Sequence, residues 1–315
     1  MSKTFDYNNI IMVEVNEDDL MSFLLKMDID DEGKPLYPLE IFSEEIINTI
    51  PEYVFADYEG GSIPNHQAVK KLREAACSIY KIKEFDLMRK VYLSSNPEEQ
   101  KNAMEELESM PFRNRGEFGE LLLHFLLRDF KETTPLISKV YFKDSAGVPA
   151  HGFDAVHISP EEEVLWLGES KLYTNGKDGI SALIGDLELH LKTDYLNSQF
   201  ALIAKNLANN SIPQRKQWIE KLTASGTLKD KLKFINIAML CVYEHDIYEK
   251  FDDTETGDAV EYHKINIRDL KSYFDKRNKN PLTERCNVIL FLFPIKNKIE
   301  LVKKLHEKLW HMQNM

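Results

Sequence analysis

Two carboxylates and an amine near the middle of the chain have the types and spacing of a hydrolytic centre. Asp154 is followed, after fourteen intervening residues, by Glu169, and Lys171 comes two positions later. The residues around them form two short apolar runs, Phe153 to Ser159 and Val164 to Lys171, on either side of the polar, proline-containing break Ser159-Pro160-Glu161-Glu162. That pattern predicts a β-hairpin. With the turn centred between Glu161 and Glu162, residues whose numbers sum to 323 lie opposite one another, so Asp154 faces Glu169. Side chains alternate along a strand, which puts Glu169 and Lys171 on one face together with Leu165, Leu167, Val156 and Ile158. Like charges opposed on a sheet repel, and ionised groups beside a core are costly unless paired or bound to a cation. A hard divalent ion such as Mg²⁺ or Mn²⁺, held by one or two carboxylates and several waters, meets that need. Such an ion activates water and polarises a phosphodiester, while a neighbouring ammonium supports developing negative charge.

The string from Asp154 to Glu169-Ser170-Lys171 resembles the PD-(D/E)xK nuclease signature, although Gly152-Phe153 and no proline precede the aspartate. The same string also fits a surface hairpin with an ordinary Glu/Lys pair; its placement on two apolar runs favours the catalytic reading. A second segment, Asn114 to Phe130, repeats Phe118, Leu121, Leu122, Phe125 and Leu126 at helical spacing, with Glu117, Glu120 and His124 along an adjoining edge. The PD-(D/E)xK resemblance implies that a helix before the first core strand offers a glutamate to the metal. Glu120 is preferred and Glu117, nearer the helix start, is the alternative; either could instead serve only the helix dipole.

The elements that must position these residues follow from patterning. Asn8 to Val15 reads as a strand and Asp18 to Leu25 as a helix with acidic residues in its first turn, whereas Asp28 to Gly33 reads as an acidic turn. Helices are predicted over Glu40 to Ile50, His66 to Tyr80 and Pro97 to Met110, the last opened by Ser94-Ser95-Asn96. Leu136 to Phe142, Phe153 to Ser159 and Val164 to Lys171 are the first three core strands, and Asn175-Gly176 is a turn. Ile180 to Leu207 is helical, and Phe234 to Tyr243 and Cys286 to Phe293 are buried strands. Lys296 to His311 closes the chain as an amphipathic helix. His190, Lys192 and Gln199 could approach the catalytic residues or DNA, but such groups are more often solvated or capping. The fold class is therefore α/β, with a mixed central sheet flanked by helices. Residues 1–110 are expected as an acidic, mostly helical N-terminal region that could pack on the core, and residues 111–315 as the catalytic domain.

Composition agrees with an intracellular enzyme. At 315 residues, 43% hydrophobic and 29% charged, the chain can bury a full core. Cys77, Cys241 and Cys286 lack metal-ligand spacing and read as free thiols of a reducing compartment. No signal core or membrane-length apolar run is visible, so a cytoplasmic protein is expected. The net charge of −12 is regional: residues 1–60 hold 15 acidic and 3 basic side chains, and the remainder is balanced. Two basic runs, residues 211–233 (with Trp218) and 264–279, are candidate phosphate contacts, although such runs are more often solvated faces. A Walker loop and a dinucleotide glycine pattern are both missing from the sequence.

Gly152-Phe153-Asp154, Leu167-Gly168-Glu169-Ser170-Lys171, the Gly116-Glu117-Phe118-Gly119-Glu120 segment and the chain length together resemble the HamA family, the nuclease subunit of the Hachiman antiphage defence system. The resemblance implies a restriction-endonuclease-like core and a metal-dependent DNase acting on DNA under the control of a HamB-type helicase or translocase. On that reading Asp154, Glu169 and Glu120 ligate the metal, Lys171 supports the reaction, and Glu117 is the substitute ligand. The alternatives are a non-catalytic adaptor or sensor on the same fold and a stand-alone restriction endonuclease.

Overall fold

The computed structural model describes residues 10–55, 65–80, 82, 85–109, 116–136, 152–159, 161, 163–207, 215–224 and 226–315. Strands β1 (Ile11–Asn16) and β2 (Leu20–Leu25) form an antiparallel hairpin. A second small hairpin of β3 (Asp28–Ile29) and β4 (Pro35–Leu36) turns at Gly33, whose φ of 75° suits a residue without a Cβ. Helices α1 (Leu39–Asn48), α2 (Ile50–Phe55), α3 (Ala68–Ile79), α4 (Phe85–Leu93) and α5 (Pro97–Ser109) follow. Next come α6 (Glu117–Lys131), the short β5 (Thr134–Pro135), β6 (Ala155–Ser159), β7 (Val164–Tyr173), α7 (Gly176–His190) and α8 (Thr193–Leu207). The chain continues through α9 (Arg215–Thr223), α10 (Leu228–Leu232), β8 (Ile235–Glu244), α11 (Ile247–Lys250), α12 (Gly257–Arg277), β9 (Asn287–Ile295) and α13 (Lys298–Gln313).

Seven strands form one mixed sheet in the order β1-β2-β9-β8-β7-β6-β5. β7, β8, β9 and β2 run parallel to their neighbours in that series, and the edges are antiparallel. Both faces are covered, so the central strands are largely apolar and every residue from Ile237 to Tyr243 is buried. Trp166, Ala238, Leu240 and Phe293 pack on the side of α1, α3, α6 and α13. Val156, Ile158, Leu165, Leu167, Met239 and Cys241 pack on the side of α7, α8 and α12.

The predicted hairpin register holds: Val156 pairs with Leu167 and Ile158 with Leu165. Three expectations change. Asp18 to Leu25 is not a helix; Leu20–Leu25 is strand β2, buried at all six positions between β1 and β9. Its short apolar run fits both periodicities, and burial on two faces of a sheet decides between them. Asn175 caps α7, accepting from the Lys177 and Asp178 backbone N–H groups at 2.9 and 3.3 Å, so Asn175-Gly176 opens a helix where a turn is predicted. The long helix over Ile180 to Leu207 is divided between α7 and α8. Most of the strand predicted over Leu136 to Phe142 lies outside the described residues; Leu136 itself donates to the Val156 carbonyl oxygen.

Candidate metal and hydrolytic site

Asp154 precedes β6 by one residue and, in the register of that hairpin, stands opposite Glu169 of β7. Its Oδ2 accepts two hydrogen bonds from Ser170, one from the backbone N–H and one from Oγ, both 2.9 Å. Ser170 points towards α6, where Gly119 sits so close that an added Cβ would lie 3.2 Å from Ser170 Oγ. The small residue at 119 thus lets the first turn of α6 press against β7, bringing Glu120 to the edge of the site. Tyr53 of α2 donates from Oη to Glu120 Oε2 at 2.7 Å. Glu117 lies in the same first turn of α6.

Glu169 and Lys171 point to the face opposite Ser170, as alternation requires. Each meets a partner on α7: His190 Nδ1 lies 2.7 Å from Glu169 Oε1, and Lys171 forms an ion pair with Asp186. His190 is therefore not a solvated group as expected, because α7 lies directly across β7. Its ring stacks on Tyr195 at 4.6 Å and 9°, and Phe153 meets it edge-on at 5.2 Å. Lys192 is exposed and Gln199 is buried in α8.

The electrostatics are those of crowded carboxylates. Burial, then the charges of Glu169 and Glu120, push the Asp154 carboxyl up to about 7, against the two Ser170 hydrogen bonds. Burial also raises Glu169, opposed by His190. For Lys171, burial favours the neutral amine, but the Asp186 carboxylate outweighs it and holds the ammonium above its usual range. His190 is likewise raised, burial being outweighed by Glu169.

Burial raises the proton affinity of both carboxylates and the Glu169 charge adds to it at Asp154; a cation would relieve that cost, and Mg²⁺ needs only one or two protein carboxylates beside water and phosphate oxygens. Asp154 and Glu169 fit that requirement. A three-residue set does not assemble: among the described residues no group of three His, Cys, Asp or Glu side chains is placed to hold a metal ion. Glu120 contributes its charge to Asp154 while bonded to Tyr53.

The HamA family model matches residues 7–309 of the chain. The chain belongs to the HamA family. Membership makes it a Hachiman antiphage defence protein, of a system that includes a HamB partner. Among curated proteins none matches. No described helix of this HamA protein is long and apolar enough to cross a membrane.

Sequence reasoning passed over Asp186, Ser170, Tyr53 and Tyr195. Asp186 and His190 carry one usable signal, a polar pair four residues apart on the helix that follows the Glu-Ser-Lys strand. Tyr53 is separated from Glu120 by 67 positions, and only packing reveals that pairing. The basic runs look less available than their charge suggests. Lys221 pairs with Glu163 and Lys233 with Asp230, while Lys231 donates to the Leu222 carbonyl oxygen. Trp218 is buried, so it offers no stacking surface. In α12, Arg268 pairs with Glu17 and Lys271 with Asp19 and Asp275.

Proposed function

We propose that this HamA protein is a metal-dependent deoxyribonuclease with a restriction-endonuclease-like core, controlled by its HamB-type helicase partner. The observation that carries the reading is that Asp154, one residue beyond the last pair of the hairpin, lies within the field of Glu169, with Lys171 on the same face as Glu169. The sequence of α6, β6, β7, α7 and β8, with β6 antiparallel to β7 and β7 parallel to β8, supports the core assignment. Asp154 and Glu169 would hold Mg²⁺ or Mn²⁺, and Glu120 or Glu117 would complete the set. The cation supplies Lewis acidity and a more acidic water. Ser170 fixes the Asp154 carboxylate by its two hydrogen bonds. The Lys171 ammonium stabilises the negative charge that grows on the phosphate oxygens.

Cleavage of plasmid DNA with Mg²⁺, and its loss in EDTA, is the first measurement. Glu169→Gln and Lys171→Ala are expected to abolish cutting while circular dichroism stays that of the unsubstituted chain. Undiminished Mg²⁺-dependent cleavage by both variants would reject the reading. The engagement of Glu169 and Lys171 by His190 and Asp186 favours a second reading, a non-catalytic adaptor in which four paired groups only hold α7 to β7. An adaptor shows no Mg²⁺ affinity that depends on Asp154 and Glu169, which calorimetry distinguishes.

A further inference from the structure

Helix α7 supplies a matched partner for each of the two site residues of β7. Glu169 and Lys171 are two positions apart on a strand, which separates them by about 6.6 Å along one face. Asp186 and His190 are four positions apart on a helix, which separates them by about 6 Å along one face. The two spacings coincide, and the pairing runs Lys171 to Asp186 and Glu169 to His190, so α7 passes antiparallel to β7. Each carboxylate therefore meets a base and each cation an acid.

An ion pair in a partly buried position is a poor way to hold two elements together. Desolvation offsets most of the attraction, and apolar residues of similar size serve packing as well or better. The α7–β7 interface already has that apolar packing in Ile180, Leu183, Ile184 and Leu187 against Leu165 and Leu167. The polar pairs stand beyond it, with side chains 26% and 23% exposed for Lys171 and Asp186, and 18% and 5% exposed for His190 and Glu169. His190 is also clamped, between the parallel ring of Tyr195 and the edge of Phe153, the neighbour of Asp154. Such restraint fixes the direction of an imidazole nitrogen and is the kind of support that keeps ligand and ammonium groups in place.

We propose that Asp186 and His190 are positioning residues of the site: Asp186 aims the Lys171 ammonium, and His190 aims the Glu169 carboxylate. This inference rests on the hydrolytic reading above and extends it to α7. Neither residue touches the reacting atoms; each acts through its partner on β7.

The test measures plasmid cleavage and Mg²⁺ binding by the full chain. Asp186→Asn is expected to lower kcat about 10- to 100-fold, the usual effect of losing such a support, with KM for DNA and Mg²⁺ affinity little changed. Asp186→Glu, which keeps the charge, recovers part of the loss. His190→Ala is expected to weaken Mg²⁺ binding by calorimetry by about 10- to 100-fold, and His190→Asn, whose amide can take the place of Nδ1, restores part of it. Thermal midpoints confirm that each variant is folded, and if Asp186→Asn does not fold, the His190 pair decides the question. If the unsubstituted chain cuts, Lys171→Ala does not, and Asp186→Asn and His190→Ala cut and bind Mg²⁺ as the unsubstituted chain does, this inference is overturned and the hydrolytic reading stands. If the unsubstituted chain neither cuts nor binds Mg²⁺, the hydrolytic reading falls and takes this inference with it.

Discussion

At the scale of single residues the protein keeps several titratable groups in states they would not hold in water. Burial raises the proton affinity of both Asp154 and Glu169, and at Asp154 the charges of Glu169 and Glu120 raise it further. His263 of α12 shows the same effect in a basic group away from the site. It is buried against Ser22, with Nε2 3.2 Å from Ser22 Oγ, and burial pushes its imidazole down to about 3 from the usual 6.5. The folded chain keeps this ring neutral where the unfolded chain protonates it. Its contribution to stability is therefore complete above pH 6.5 and is lost as pH falls from there towards 3. Over that window one such group costs at most about 1.4 kcal/mol per pH unit. A His263→Gln variant, which cannot take up the proton, is expected to lose less of its thermal midpoint than the unsubstituted chain between about pH 7 and about pH 5. Parallel slopes for the two proteins in differential scanning calorimetry would show that His263 protonates as readily folded as unfolded.

At the scale of elements, the site depends on how closely two helices approach β7 from opposite faces. α6 comes close because residue 119 has no side chain, and α7 comes close to β8 for the same reason at residue 179. A Cβ at Gly179 would stand 2.6 Å from Cys241 Sγ, inside the buried face of β8. Cys241 is fully buried. Gly179→Ala is expected to destabilise the fold by about 1–3 kcal/mol, the usual cost of overpacking, outweighing the gain in helix propensity. Urea denaturation measures that loss. Because α7 carries Asp186 and His190, the same variant should lose cleavage activity at temperatures where it is still folded. Unchanged stability would mean that α7 can shift outward without consequence.

At the scale of the whole molecule, the acidic N-terminal part is built into the body of the protein. β2 pairs with β9 in parallel register, and α1 and α3 pack on α13. Carboxylates from the first sixty residues also meet cations of the later chain: Glu17 with Arg268, Asp19 with Lys271, Glu40 with Lys304 and Lys308, and Glu52 with Arg128. Most of these pairs are exposed and contribute little to stability singly. The apolar contacts matter more, since Phe23 packs against Phe130, Phe291 and Phe293, and Phe42 stacks on Phe293. Removal of residues 1–60 therefore exposes the edge of β9 and a set of core aromatics, a combination that invites aggregation. The truncated chain is expected in inclusion bodies; a soluble, monomeric product by gel filtration would contradict the integrated sheet.

The sequence alone determined the hairpin, its register, and the shared face of Glu169 and Lys171, because strand alternation and a turn residue pattern are local properties that need no other part of the chain. It also determined the α6 stripe, the buried strands β8 and β9 and the closing helix, where apolar periodicity is long enough to be unambiguous. The tertiary structure decided what periodicity cannot carry. It made Leu20–Leu25 a strand by covering both its faces, joined Tyr53 to Glu120 across 67 positions, and set His190 and Asp186 of α7 against Glu169 and Lys171 of β7. Those outcomes depend on which surfaces meet, and contact between distant segments is fixed by the packing of the whole core rather than by any single stretch of residues.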